Sequence, residues 1–295
     1  MKRGSSSLSS PVELGSAFAW PPPASRVRVG LVIPSSNLSV YPDARLKTRL
    51  AGEFARVASV FRVSSLAIFR DPDAEESDHR LFVKVVRYML LPPYLRVRVW
   101  RLDPELRYAG LLPPLNIYPH NPEGRTPGVG DIRYGLVLDE RGAVEVGWAK
   151  PCRLIEPLPA KVGSVDLFEV VSLEPFLCRR APRDGIYVGY EVVELGSTED
   201  LAKYLGEFQL VINTSKRGAA LASVLSDPDS ARRLTKARSV CLLFGNPRKD
   251  LDEIIGGGLR VDLTVNFIPY QGVLSVRTLE AVTASLAVLN LLLTN

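Results

Sequence analysis

Histidine, cysteine and methionine are scarce in this chain of 295 residues, with 2, 3 and 2 copies. The scarcity limits the available chemistry. Cys152, Cys178 and Cys241 stand far apart with no paired spacing, which argues against a disulfide framework and against a zinc ribbon. His79 and His120 have no ligand partner at metal spacing, so both are expected in exposed loops and no metal is expected. Long apolar runs are missing as well. The run from Ala281 to Leu293 is too short to cross a bilayer and reads as a buried or interfacial helix. Residues 1–25 carry a serine run and Pro21 to Pro23 without the apolar core of a signal peptide. They are expected to form a disordered tail on a cytoplasmic protein that has no membrane partner.

Charge is present but unevenly placed. The net +5 divides into +1 for residues 1–25, +6 for 26–114 (15 basic against 9 acidic residues), −1 for 115–185 and −1 for 186–295. The excess is chiefly arginine, including Arg45, Arg49, Arg56, Arg62, Arg96, Arg98 and Arg101. Arginine suits phosphate because its planar fork donates two hydrogen bonds at once. An arginine-rich surface laced with ion pairs explains the same excess, so charge alone does not establish RNA binding.

The stretch Asn266-Phe-Ile-Pro-Tyr-Gln-Gly-Val-Leu-Ser-Val-Arg-Thr278 is the most informative segment. The preceding Val261 to Phe267 has the β-branched and aromatic content of a strand, and Pro269 and Gly272 then release the backbone. A helix is expected next, capped by Ser275, with Leu279, Val282, Leu286, Leu289 and Leu293 at helical spacing. A loop and helix start are thereby placed at the carboxyl end of a buried strand, where open α/β sheets bind ligands. Phe208 to Gly218 and Ser239 to Pro247 each read as a strand ending in a polar or glycine-containing turn.

The order of these three segments resembles the cofactor-binding motifs of the SPOUT, or α/β-knot, methyltransferases. Within that superfamily, Asp43 to Thr48, Ala51 to Phe61, Val63 to Asp71, Pro92 to Arg96, Tyr108 to Pro114 and Gly185 to Tyr190 resemble the RNA uridine-N3 methyltransferases of archaea and eukaryotes. The similarity runs from about residue 26 to 293. It implies an α/β fold with a trefoil knot, S-adenosyl-L-methionine as cofactor, a homodimer and an RNA substrate, ribosomal RNA first, with no DNA expected. A knot runs against the rarity of threaded chains and comes from the resemblance only. The wording of two loops, Asn213 to Arg217 and Phe244 to Pro247, departs from the family pattern.

On this resemblance Thr214, Phe244, Gly245, Ile268, Gln271, Gly272, Val276 and Thr278 are the candidate cofactor contacts. A uridine N3 is a poor nucleophile while protonated, so a site must help remove that proton or stabilise the charge spreading onto the carbonyl oxygens. Arg277, with Arg217 or Arg45 reaching in from another loop or a second subunit, are candidates for the second task. Asn266 is a candidate for the base edge or the cofactor. Lys47, Arg49, Trp148, Lys150, Arg153, Arg179, Arg180 and Arg183 are candidate RNA contacts, with Tyr134 beside them.

The grammar of the chain changes twice. Residues 26–114 read as a βαβα start, with strands at Arg26 to Ile33 and Ser64 to Phe69 and helices over 43–60 and 78–91. Residues 115–183 hold short runs broken by proline and glycine, with strands at Tyr134 to Leu138, Ala143 to Trp148, Pro151 to Ile155, Lys161 to Val165 and Leu167 to Leu173. Five short strands suit a small barrel, and the resemblance specifies an OB-like one inserted into the α/β domain formed by 26–114 and 184–295. Gly256 to Gly258 reads as a helix stop, the Ser215-Lys216 pair lacks the partners of a hydrolase, and Glu75 to Asp78 reads as a solvated acidic helix start. A non-catalytic RNA-binding protein on the same fold and a ribose 2′-O methyltransferase are the alternatives.

Overall fold

The computed structural model describes residues 17–100, 102–156 and 161–293. The chain opens with β1 (Arg28–Pro34), α1 (Ala44–Val60), β2 (Ser65–Phe69), α2 (Glu76–Leu90) and α3 (Pro93–Val99). A barrel section follows, with β3 (Ile132–Val137), β4 (Ala143–Glu145), β5 (Cys152–Leu154), β6 (Val165–Leu173) and β7 (Phe176–Arg180). The chain then alternates again through β8 (Glu191–Leu195), α4 (Thr198–Gly206), β9 (Leu210–Ala220), α5 (Leu221–Ser226), α6 (Pro228–Lys236), β10 (Ser239–Leu243), α7 (Leu251–Ile255), β11 (Leu263–Asn266) and α8 (Thr278–Leu293).

Six strands form one parallel sheet in the order β11-β9-β10-β1-β2-β8. The central strands are apolar on both faces, as a covered parallel sheet requires. On one face Leu31, Ile33, Leu66 and Ile68 pack with Phe54, Phe82, Val282 and Leu286 from α1, α2 and α8. On the other, Val32, Ala67 and Leu243 pack with Leu201, Leu205 and Leu251 from α4 and α7. Helix α1 begins where Asp43 accepts a hydrogen bond from the Arg45 N–H, one of the orphan donors of the first turn. Helix α8 starts at Thr278 rather than at Ser275, with the Arg277 N–H held by Glu280 Oε2 at 3.0 Å.

Strands β3 to β7 close into a barrel in the order β3-β4-β5-β7-β6, with its own core of Val137, Val144, Phe168, Val170 and Phe176. The barrel is tied to the sheet body through tyrosines. Tyr94 OH donates to Tyr134 O at 2.7 Å, and Tyr134 OH donates to Val188 O at 2.9 Å. Tyr134 is therefore a buried fastener, not the exposed RNA platform expected of it.

Four further expectations are corrected by tertiary pairing. Cys152 and Cys178 form a disulfide because β5 and β7 are parallel neighbours in the barrel, although 26 residues separate them in sequence. His79 and His120 are buried. His79 Nδ1 lies 2.6 Å from Ser35 Oγ, and His120 Nε2 donates to Leu90 O at 2.7 Å. Asp78, expected in solvent, is buried between Lys47 at 2.6 Å and the Ser39 hydroxyl at 2.8 Å. Within the expected tail, Tyr187 N–H donates to Pro22 O and Ala24 N–H to Gly185 O, which ties 22–24 to the body; residues 1–16 lie outside the described ones.

Candidate active-site cleft

Three chain segments meet at the carboxyl edge of β9, β10 and β11. The first is an excursion inside β9. Asn213 pairs with Thr264 and Ala219 with Val265, so residues 214–218 leave the ladder between two adjacent partners on β11. Gly218 permits the close return, since a Cβ there would stand 2.8 Å from the Thr264 backbone. The second is the turn after β10, Phe244 to Asp250. The third is the loop 267–277 between β11 and α8.

Together they line a cleft whose walls include Thr214, Ser215, Lys216, Arg217, Phe244, Gly245, Ile268, Gln271, Val276 and Thr278. Internal hydrogen bonds hold the walls in place. Thr214 Oγ1 donates to Leu243 O at 2.7 Å, and Ser215 Oγ to Asp250 Oδ2 at 2.7 Å. Asn246 Oδ1 accepts from both Arg248 N–H and Lys249 N–H, fixing the turn after β10. Its amide also donates to Ser36 Oγ at 3.0 Å and Asp73 Oδ2 at 3.2 Å, coupling that turn to the ends of β1 and β2. A Cβ on Gly245 would lie 2.4 Å from Lys249 O and 2.9 Å from Asp250 Cα, so the turn closes only around glycine.

Seven of the eight sequence-derived cofactor candidates line this cleft: Thr214, Phe244, Gly245, Ile268, Gln271, Val276 and Thr278. Gly272 is not among the lining residues, and an added Cβ would meet nothing within 4 Å. Among the four catalytic candidates, Arg217 and Asn266 are brought to the cleft and Arg277 and Arg45 are not. Arg217 pairs with Glu253 across the rim, which raises the guanidinium pKa and lowers that of the carboxyl. Asn266 is a tether. Its Nδ2 donates to Lys216 O at 3.1 Å and its Oδ1 accepts from Ile268 N–H at 2.9 Å, joining two walls.

Arg45 is bound to its own cap residue Asp43 and lines a separate groove of about 630 Å³ with Arg49, Arg56, Leu111 and Leu279. Four of the eight expected RNA contacts are engaged in ion pairs. Lys47 is half-buried against Asp78, Arg49 pairs with Glu53, Arg179 with Glu169 and Arg180 with Asp166. Lys150, Arg153 and Arg183 are exposed on the barrel section, and Trp148 is 38% exposed. Sequence reasoning missed Ser215, Asn246 and Asp250, whose roles arise from contacts across loops. The Gly-Asn-Pro turn signal at 245–247 was the one cue for Asn246.

A parallel α/β sheet with a loop-built cleft at its carboxyl edge and an appended five-stranded barrel defines an enzyme-like class, and in open α/β sheets such an edge is where ligands bind. Residues 28–289 match the family described as "Putative RNA methyltransferase", and the chain belongs to that family. It is an RNA methyltransferase by family, a transferase of the EC 2.1.1 type. It is 32% identical over 283 residues to an uncharacterized protein of Haloarcula marismortui, covering 88% of this chain and 98% of that one. It is 27% identical to the 28S rRNA (uridine-N(3))-methyltransferase of Homo sapiens over 88% of this chain and 77% of that protein. The protein of the same name in Drosophila melanogaster is 25% identical, with 88% and 61% covered.

Proposed function

We propose that the chain transfers a methyl group from S-adenosyl-L-methionine to N3 of a uridine in ribosomal RNA. The observation that carries this reading is the convergence of seven cofactor candidates from three separate segments on one cleft. Relatives named for uridine-N3 methylation supply the target. The cleft suits the donor chemically. Ile268, Val276 and Ala281 offer apolar walls for a nucleoside, and the carboxylates of Asp250 and Glu253 suit a cation. Among the described residues no helix is long and apolar enough to cross a membrane.

S-adenosylmethionine supplies a methyl already activated on a sulfonium, so what the protein contributes is alignment and water exclusion. Thr214, Gly245 and Thr278 hold the walls that fix the donor's position. Arg217 balances the negative charge that spreads onto the uracil oxygens as N3 gives its proton to solvent water, where a preorganised cation is most effective. Its partner Glu253 keeps it at the rim before RNA arrives. Arg277 and Arg45, outside the cleft in one chain, belong to the proposal only as groups presented by a second copy. We place the chain in the SPOUT superfamily as a knotted homodimer, divided at 26–114 with 184–295 and an OB-like insert at 115–183. The Arg45 groove against α8 supports the dimer, since α1 and α8 leave an arginine-rimmed apolar face there.

Calorimetric titration with S-adenosylmethionine and S-adenosylhomocysteine tests the cofactor class, with NAD as control. Saturable binding of the first two alone is expected, and their failure to bind, with and without RNA, overturns it.

A further inference from the structure

The loop between β11 and α8 leaves large apolar side chains in water at the cleft. Tyr270 is 101% exposed, and Val273 and Leu274 beside it are exposed as well. Tyr270 stands between Ile268 and Gln271, both of which line the cleft, so its backbone lies at the cleft's edge while its ring is in solvent. Its backbone is left-handed, φ 59, a region that bulky residues rarely adopt. The loop is nevertheless held in that shape. Gln271 Nε2 donates to Val273 O at 2.8 Å, and Lys216 Nζ donates to Leu274 O at 3.5 Å. An exposed ring contributes little burial to the fold and is left free to contact something that enters the cleft. Lys216, Arg217 and Arg248 line the same opening. Aromatic faces interleaved with cations are the elements that bind single-stranded nucleic acid, since every base has a π-face and every nucleotide a phosphate.

We infer that Tyr270 is the stacking platform for the target uracil, holding the unpaired base over the cleft while the cationic rim takes the flanking phosphates. The inference rests on the reading of the cleft as a methyl-donor site for RNA. RNA bases that undergo chemistry must leave the helical stack, and an aromatic ring at the entrance replaces the contact they lose. The role is one of binding and positioning. Stacking needs a flat ring and not the hydroxyl, so phenylalanine and tryptophan should serve where alanine and glycine fail.

The test is fluorescence anisotropy of a labelled oligouridylate of about ten nucleotides, with S-adenosylhomocysteine present, against full-length wild type, Tyr270→Ala, Tyr270→Gly, Tyr270→Phe and Tyr270→Trp. Removal of one stacked base predicts at least about a fivefold weaker Kd for Ala and Gly, with Phe and Trp within about threefold of wild type. Glycine relieves the left-handed backbone, so its failure alongside alanine assigns the loss to the ring. Equal affinity of the Ala variant overturns the inference, as does equal loss in Phe, no binding by wild type, or a Tyr270→Ala chain that changes oligomeric state. S-adenosylhomocysteine titrated against each variant separates the two readings. Unchanged affinity with weakened oligouridylate binding supports both. Absent affinity in wild type, with ring-dependent oligouridylate binding intact, overturns the donor cleft while leaving the platform standing.

Discussion

Replacing Gly245 by alanine perturbs the cleft with a single methyl group. The new Cβ would stand 2.4 Å from Lys249 O and 2.9 Å from Asp250 Cα, both backbone atoms of the turn that follows β10. No side chain can rotate away to relieve the contact, so the turn itself must move by roughly 1 Å to reach van der Waals separation. Forced overpacking of this kind costs about 1–3 kcal/mol. The displaced atoms belong to residues that line the cleft, and Asp250 holds Ser215 from the opposite wall. If the bound state must restore the original turn, the whole cost appears in affinity, which is roughly 5- to 150-fold at about 1.4 kcal/mol per factor of ten. Calorimetry with S-adenosylhomocysteine measures it. Gly272→Ala is the matched control, because its Cβ enters open space, and its Kd should stay within about twofold of wild type. Equal affinities for the Gly245→Ala and Gly272→Ala proteins would refute the assignment of the turn to the ligand site.

Arg217→Ala should lower methyl transfer by about 100-fold or more while leaving cofactor affinity within a few-fold, as loss of one preorganised charge donor does; single-turnover rates with labelled cofactor check it. His120, held near pKa 4 chiefly by burial, has its folded pKa below the value of 6.5 for a free side chain. The unfolded chain therefore binds the proton more readily, and stability is lost as pH falls from about 6.5 towards 4, by about 3 kcal/mol at most. Denaturant unfolding across that range should show a shallower pH slope for His120→Gln than for wild type. The disulfide between Cys152 and Cys178 closes a loop of sequence separation 26, for which chain entropy gives about 3.5 kcal/mol. Reductant should lower the melting temperature of wild type and not that of the Cys152→Ser, Cys178→Ser double variant.

Much of the α/β section was legible because its signals are local. Asp43 before a periodic apolar run marks the start of α1, and the short apolar runs of β1, β2 and β10 announce buried strands. The cleft was legible through turn residues next to those strands. What escaped depends on partners distant in sequence. Nothing near Cys152 signals that a parallel neighbour brings Cys178 to it, and nothing near Lys47 signals the buried carboxylate of Asp78. The two histidines looked like loop residues because their burial comes from Ser35, Glu194, Leu90 and Tyr134, supplied by other segments. The excursion within β9 was hidden for the same reason. Residues 208–218 read as a strand and a turn, and the return of Ala219 to the ladder depends on β11.

The most direct measurement incubates the purified protein with methyl-labelled S-adenosylmethionine and ribosomal RNA, digests the RNA to nucleosides and identifies the labelled product. The account predicts label in 3-methyluridine, lost with Arg217→Ala. Label on a ribose 2′-oxygen, or cofactor binding with no labelled nucleoside, would contradict it.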